Sequence, residues 1–181
     1  MQTEDSEIIT LMTDPARSSR GFTLLMQKYQ ERIYFLIRRI VLTHEDTEDV
    51  LQNTMLRIFN AIGGFRQDAS LFTWMYRIAV NEALSFKRSK SKRHQPASGD
   101  EAAYLLESLK ADDYFDGDEI QRMLTVGIDS LPVKQKLVFQ LRYFEEMPYR
   151  EMSEVLETSE GALKASYHIA VQKLLEFFNK K

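Results

Sequence analysis

Tyr149-Arg150-Glu151-Met152-Ser153-Glu154-Val155-Leu156-Glu157-Thr158-Ser159-Glu160-Gly161-Ala162-Leu163-Lys164-Ala165-Ser166-Tyr167-His168 reads as two helices with a break between them. Pro148 presets the backbone angle of a first helical turn, and Met152, Val155 and Leu156 then return at helical spacing. Glu157-Thr158-Ser159 interrupts the pattern and offers a capping hydroxyl from Thr158 or Ser159. Beyond the break, Leu163, Tyr167, Ala170 and Leu174 turn one face of a longer helix inward. Glu160, Gly161, Lys164, Ala165 and His168 then face outward near that helix's N-terminal end. In a helix-turn-helix this is the part that meets base edges in the major groove. A plain helical hairpin uses the same packing pattern, so the rest of the chain has to separate the two.

The upstream chain is helical as well. From Phe22, the residues Leu25, Met26, Tyr29, Ile33, Leu36, Ile37 and Ile40 recur at three- and four-residue steps. A second helix starts near Thr43, where Glu45, Asp46, Glu48 and Asp49 suit the positive end of the helix dipole, and it stops at Gly63-Gly64. A third opens around Ser70 and runs towards Lys90. From about Ser89 to Gly117 the periodicity fades, with at most a weak helical turn at Ala102 to Leu109. It returns with Ile120, Leu124, Ile128 and Leu131, then Leu137, Val138, Leu141 and Phe144 beyond Pro132. No strand pattern competes. The fold expected is all-α: a helical bundle at residues 1–94 and a helix-turn-helix domain at 119–181, joined by a flexible acidic linker at 95–118.

With 181 residues, 44% hydrophobic and 28% charged, the composition is that of a soluble globular protein. There is no cysteine, which removes thiolate metal sites and disulfides. No apolar run reaches the length of a membrane span, and Met1-Gln2-Thr3-Glu4-Asp5 lacks the layout of a signal peptide. The expected location is the cytoplasm, without membrane insertion. The net charge of -3 is unevenly spread. Residues 100–120 hold 8 acids against Lys110 alone, while residues 1–99 carry 14 Lys/Arg against 11 Asp/Glu. Each flank is mildly basic, too weakly to bind DNA tightly by itself, since nonspecific affinity scales with phosphates neutralised. A nucleic-acid role would therefore need a helper.

The segment from Phe65 to Asn81 points to such a role. A short polar loop, Arg66-Gln67-Asp68-Ala69-Ser70, leads into a helix carrying Phe72, Trp74 and Tyr76, which runs into the basic tract Lys87 to His94. Loop, rings and cationic charge in that order suit a surface that holds a single strand with its bases turned out. They also suit a core helix with a solvated end. Met75, Ile78 and Ala79 join the rings to cover most of the helix, so at least one ring belongs to the core, and Trp74 reads as packing.

Taken together, these motifs resemble the extracytoplasmic-function (ECF) sigma factors of bacterial RNA polymerase. Phe65 to Asn81 is similar to the promoter-melting part of region 2 in that family, and Glu48-Asp49-Val50-Leu51-Gln52-Asn53 to its polymerase-docking helix. Tyr149 to Leu156 followed by Glu160 to His168 is similar to region 4. The resemblance covers about residues 22–93 and 120–174, with its motifs in the family's order.

The resemblance implies two partners, core RNA polymerase and promoter DNA, and admits an anti-sigma factor as a third. Asp49, Val50, Gln52 and Asn53 would grip the polymerase coiled coil, although many members carry an acid where Asn53 stands. Arg66, Gln67, Asp68 and Ser70 would capture a base flipped from the minus-10 element, with Asn81 on the same melted strand and Lys87 and Arg88 along its phosphates. Lys164, Ala165 and His168 would face minus-35 bases, with Tyr149, Arg150, Ser159 and Lys173 as phosphate contacts. Many members carry arginines where this chain has Ser166 and Ile169, and Glu157 replaces a common turn glycine. The arginine-to-guanine readout is thereby reduced.

Two other readings stand beside this one: a conventional helix-turn-helix regulator that needs no polymerase, and a helical adaptor that binds only protein. The first leaves Phe65–Asn81 and the acid-rich helix without a role. An enzyme is the weakest reading. His44, His94 and His168 are scattered, and no catalytic, cofactor or metal pattern appears.

Overall fold

The computed structural model describes residues 4–93, 101–115 and 117–179. Every regular element among them is helical: α1 (Asp5–Thr13), α2 (Ser18–Val41), α3 (His44–Ala61) with a 3-10 turn at Ile62–Gly64, α4 (Leu71–Arg93), α5 (Glu101–Lys110), α6 (Glu119–Asp129), α7 (Val133–Tyr143), α8 (Tyr149–Leu156) and α9 (Glu160–Asn179). The chain divides into two compact units, residues 1–88 and 89–181.

In the first unit, the stripe on α2 is the core. Leu25, Ile33, Leu36, Ile37 and Ile40 are sealed from solvent, together with Ile58 of α3 and Met75, Tyr76 and Ala79 of α4. Both caps expected here are formed. Thr43 Oγ1 accepts from the Asp46 N–H at 3.3 Å, and Ser70 Oγ accepts from the Thr73 N–H at 3.0 Å. These bonds satisfy amides that a helix start leaves without partners. One element lies upstream of the stripe read from sequence. Helix α1 packs Ile8, Leu11 and Met12 onto α2, and Gly21 permits the approach, because a Cβ there would lie 2.7 Å from the Met12 nitrogen. Asp5 fastens its start, accepting from Lys28 Nζ at 2.7 Å and from the Tyr29 hydroxyl at 2.6 Å. Burial, then the Asp5 carboxylate, hold the Tyr29 phenol above its ordinary range.

The second unit is built from shorter helices around Ile128, Leu131, Phe139, Ala170 and Leu174. Helix α6 opens with a capping box in which Asp118 and Gln121 exchange side-chain and backbone bonds. Ile120, expected in the core from its spacing, stands 71% exposed in the first turn of α6. The sequence allows the linker expected at 95–118 no more than a helical turn. Its residues 95–100 and 116 lie outside those described, and the rest contains the ten-residue helix α5 with Leu109 buried. Leu105, Leu106 and Leu109 form a single apolar side too short to stand out from the surrounding acids.

Candidate functional site

On α3, Asp49, Gln52 and Asn53 are exposed along one face. Val50 is not: it is 2% exposed and points into the core, so it supports this face without forming it. A helix turns 100° per residue, which sets Val50 about 100° from Asp49 and about 160° from Gln52, off the exposed side. The next turn brings up Leu56, 55% exposed, a residue the sequence reading passed over. Between α2 and α3 runs a groove of about 410 Å³, with apolar lining from Phe22, Met26 and Met55 and polar lining from Glu48, Asp49 and Gln52. An apolar groove with an acidic rim fits a helical partner that carries basic residues.

The loop before α4 projects Arg66, Gln67, Asp68 and Ser70 into solvent. Gln67 has φ 60°, a left-handed conformation that turns the chain sharply. Arg66 and Asp68 pair across it at 3.3 Å, a contact of little energy at such exposure. Behind the loop, Phe65 lies 5.1 Å from Trp74, both half-buried. Tyr76 is fully enclosed and stacks near Phe72 at 4.0 Å, while the Arg32 guanidinium covers the Phe72 ring at 3.9 Å. The ring cluster is therefore largely a support for the loop.

Asn81 is exposed, roughly 16 Å along the helix axis from Ser70 at 1.5 Å per residue. The two are thus separate points on one surface. Asn81 opens on a cleft of about 420 Å³ shared with Asn60, Ile78 and the Arg57–Glu82 pair, whose Nε–Oε1 separation is 3.0 Å. Arg57 and Asn60 were not singled out from sequence. They lie on α3, and no local pattern connects them to Asn81. Lys87 is half-buried and Arg88 exposed. Lys92 and Arg93 continue the backbone of α4, but their side chains lie outside those described, as does His94.

In the second unit, α8 and α9 are joined by Glu157 at φ 51°, a left-handed turn residue that fits the glycine expected there. Ser159 Oγ accepts from the Ala162 N–H at 3.4 Å and caps α9. Arg150, Ser159, Lys164, Ala165, His168 and Lys173 are exposed, and Tyr149 is half-buried at the start of α8. The Tyr149 ring is a junction: Lys164 Nζ lies 5.6 Å from its centroid and the Arg142 guanidinium 5.2 Å. Arg142 also donates to the Met147 carbonyl at 3.2 Å, which binds the turn before α8 to α7. Sequence reading missed Arg142, because its partners are backbone carbonyls and a ring four to seven positions away. The arrangement holds a polar, outward-facing helix end, where Lys164 Nζ lies 3.9 Å from Glu160 Oε2, on a rigid base, as insertion into a DNA groove requires.

Among the described residues no group of His, Asp and Glu side chains could hold a metal ion, and no helix is long and apolar enough to cross a membrane.

Comparison with known families agrees with this layout. Residues 25–93 match the model for sigma-70 region 2, and residues 121–174 the model for sigma-70 region 4. The RNA polymerase sigma-H factor of Pseudomonas aeruginosa is 30% identical over 156 residues, covering 81% of this chain and 80% of that protein. The ECF RNA polymerase sigma-E factor of Salmonella typhimurium is 26% identical over the same length, with the same coverage. Among solved structures, the sigma factor RpoE from Bartonella quintana, in complex with the anti-sigma factor NepR, shares the fold at a TM-score of 0.69. It is 15% identical and covers 88% of this chain and 98% of its own. The chain belongs to the sigma-70 family as an ECF sigma factor, a subunit that directs RNA polymerase to initiate transcription at specific promoters.

Proposed function

We propose a division of this activity among the three surfaces. Asp49, Gln52, Asn53 and Leu56, with the groove beside them, dock on core polymerase. The loop Arg66 to Ser70 receives a base flipped from the minus-10 element, Asn81 holds the same melted strand, and Lys87 and Arg88 follow its phosphates. Lys164, Ala165 and His168 face the minus-35 duplex, while Tyr149, Arg150, Ser159 and Lys173 meet its backbone.

The observation that carries this reading is the pairing of two compact units, each with a different kind of polar surface. An exposed polar loop on an aromatic base lies in one, and an exposed helix end carrying Lys164, Ala165 and His168 in the other. The working boundaries are residues 1–94 for region 2, 95–118 for the linker and 119–181 for region 4. Each surface is only mildly basic, and polymerase acts as the helper by fixing their separation, so that two weak contacts become one strong one. The chain performs no catalysis of its own and works in the cytoplasm, where its polymerase is. An anti-sigma factor that covers these surfaces is a fitting regulator, by analogy with the Bartonella quintana complex.

Transcription in vitro with purified core polymerase tests the proposal. Adding the chain is expected to yield promoter-specific transcripts that core alone does not make. Absence of such transcripts on genomic templates, together with no binding to core, would contradict it.

A further inference from the structure

The outward face of α9 is less polar than a DNA-reading helix usually is. Leu163, Ala170 and Leu174 occupy the buried side, leaving Ala162, Ala165 and Ile169 in solvent at three- and four-residue steps. Ile169 is 44% exposed, on the side of the helix turned away from the buried Leu163, Ala170 and Leu174. Lys164, His168 and Lys173 flank this stripe, and Arg150 stands exposed on α8. No arginine occupies α9 at all, so the bidentate arginine contact to guanine is missing from this helix.

Resting on the proposed minus-35 role of this helix, we infer that Ala165 and Ile169 form an apolar contact for thymine 5-methyl groups. The duplex element this chain selects is then rich in A·T pairs where it faces α9. Thymine is the base that offers a methyl group in the major groove, and an apolar side chain is its natural complement. Lys173, and Lys164 at 3.9 Å from Glu160, favour phosphates beside the stripe and disfavour a basic protein surface. Gly161, Ala162 and Ala165 are small enough for the helix to approach the groove floor closely. Ala165 and Ile169 lie about 6 Å apart along the helix, roughly two base-pair steps of 3.4 Å. The two methyls read should therefore fall within about two steps of each other.

The test starts with holoenzyme, core polymerase plus this chain, selecting from a promoter library randomised in the minus-35 region. Each thymine of a selected duplex is then replaced by uracil, which removes the methyl and nothing else. At one or two positions uracil is expected to weaken holoenzyme binding about fourfold, the effect of exposing one buried methyl-sized group. Ile169→Ala should abolish the penalty at the position that Ile169 faces, and Ile169→Arg should move the selected sequence towards guanine. The inference is overturned if uracil is tolerated at every position, or if the wild-type chain selects guanine-rich elements. It is equally overturned if Ile169→Ala weakens core binding while the uracil response persists, which would assign the stripe to a protein contact. No enrichment over core alone would instead overturn the sigma reading on which the inference rests.

Discussion

The two units present recognition surfaces of opposite construction. In residues 1–88 the helices are long, 24 residues in α2 and 18 in α3, and they bury an unbroken apolar stripe. The candidate base-reading group sits outside them, on a loop whose polar side chains are exposed. In residues 89–181 the helices before α9 are short, 11 residues in α7 and 8 in α8, and the candidate readers are fixed on the 20-residue α9 itself. A base leaving its stack arrives in variable poses and suits a polar, adaptable receptor. A duplex offers a regular groove and suits a rigid face of fixed spacing. The difference in local architecture thus follows the difference in what each surface holds.

This contrast can be broken at several places. The largest effect is expected from Tyr76→Ala, which removes a fully buried ring beneath the loop and should destabilise the first unit by about 3–5 kcal/mol. Denaturation followed by amide exchange should show α2 to α4 opening while α7 to α9 keep their protection. Equal loss in both units would contradict their separate cores. Next is Leu56→Asp. Because Leu56 is mostly exposed, the melting temperature should hold while affinity for core polymerase falls by a factor on the order of 30, measured by titration of labelled chain. Unchanged affinity would remove the groove between α2 and α3 from the docking surface.

Arg142→Ala frees the turn before α8 and leaves Tyr149 and Lys164 without their brace. Holoenzyme binding to a minus-35 duplex should weaken about tenfold, with binding to a minus-10 single strand unaltered. The smallest effect concerns Glu157, held at φ 51° against its steric preference. Glu157→Gly should raise the stability of the second unit by about 0.5–1 kcal/mol without changing the duplex preferred.

Most helices were legible in the sequence because apolar residues return at three- and four-residue steps, over the longest stretch in α2. The caps at Thr43 and Ser70 were legible for the same local reason. What escaped notice depended on distance. Helix α1 carries only Ile8, Leu11 and Met12 on its buried side, and its register is set by Gly21 and Asp5 contacts with α2. Arg142 acts on carbonyls and a ring brought near by the turn, and Asn60 meets Asn81 only across two helices. Val50 illustrates the opposite error: a motif carried over whole assigns an inward side chain to a surface, although helical geometry already sets it about 100° from Asp49 and about 160° from Gln52.

The central claim is that the first unit holds the melted strand while the second reads the duplex. Permanganate oxidation of unpaired thymines in holoenzyme–promoter complexes tests it most directly, with wild type, Asn81→Ala and Arg142→Ala compared at equal occupancy. Asn81→Ala should bind the promoter yet show several-fold weaker permanganate reactivity around the minus-10 element. Arg142→Ala, once driven to full occupancy by concentration, should show wild-type reactivity. If both variants lose opening to the same extent, or if Asn81→Ala opens the promoter normally, the assignment of the two surfaces is wrong.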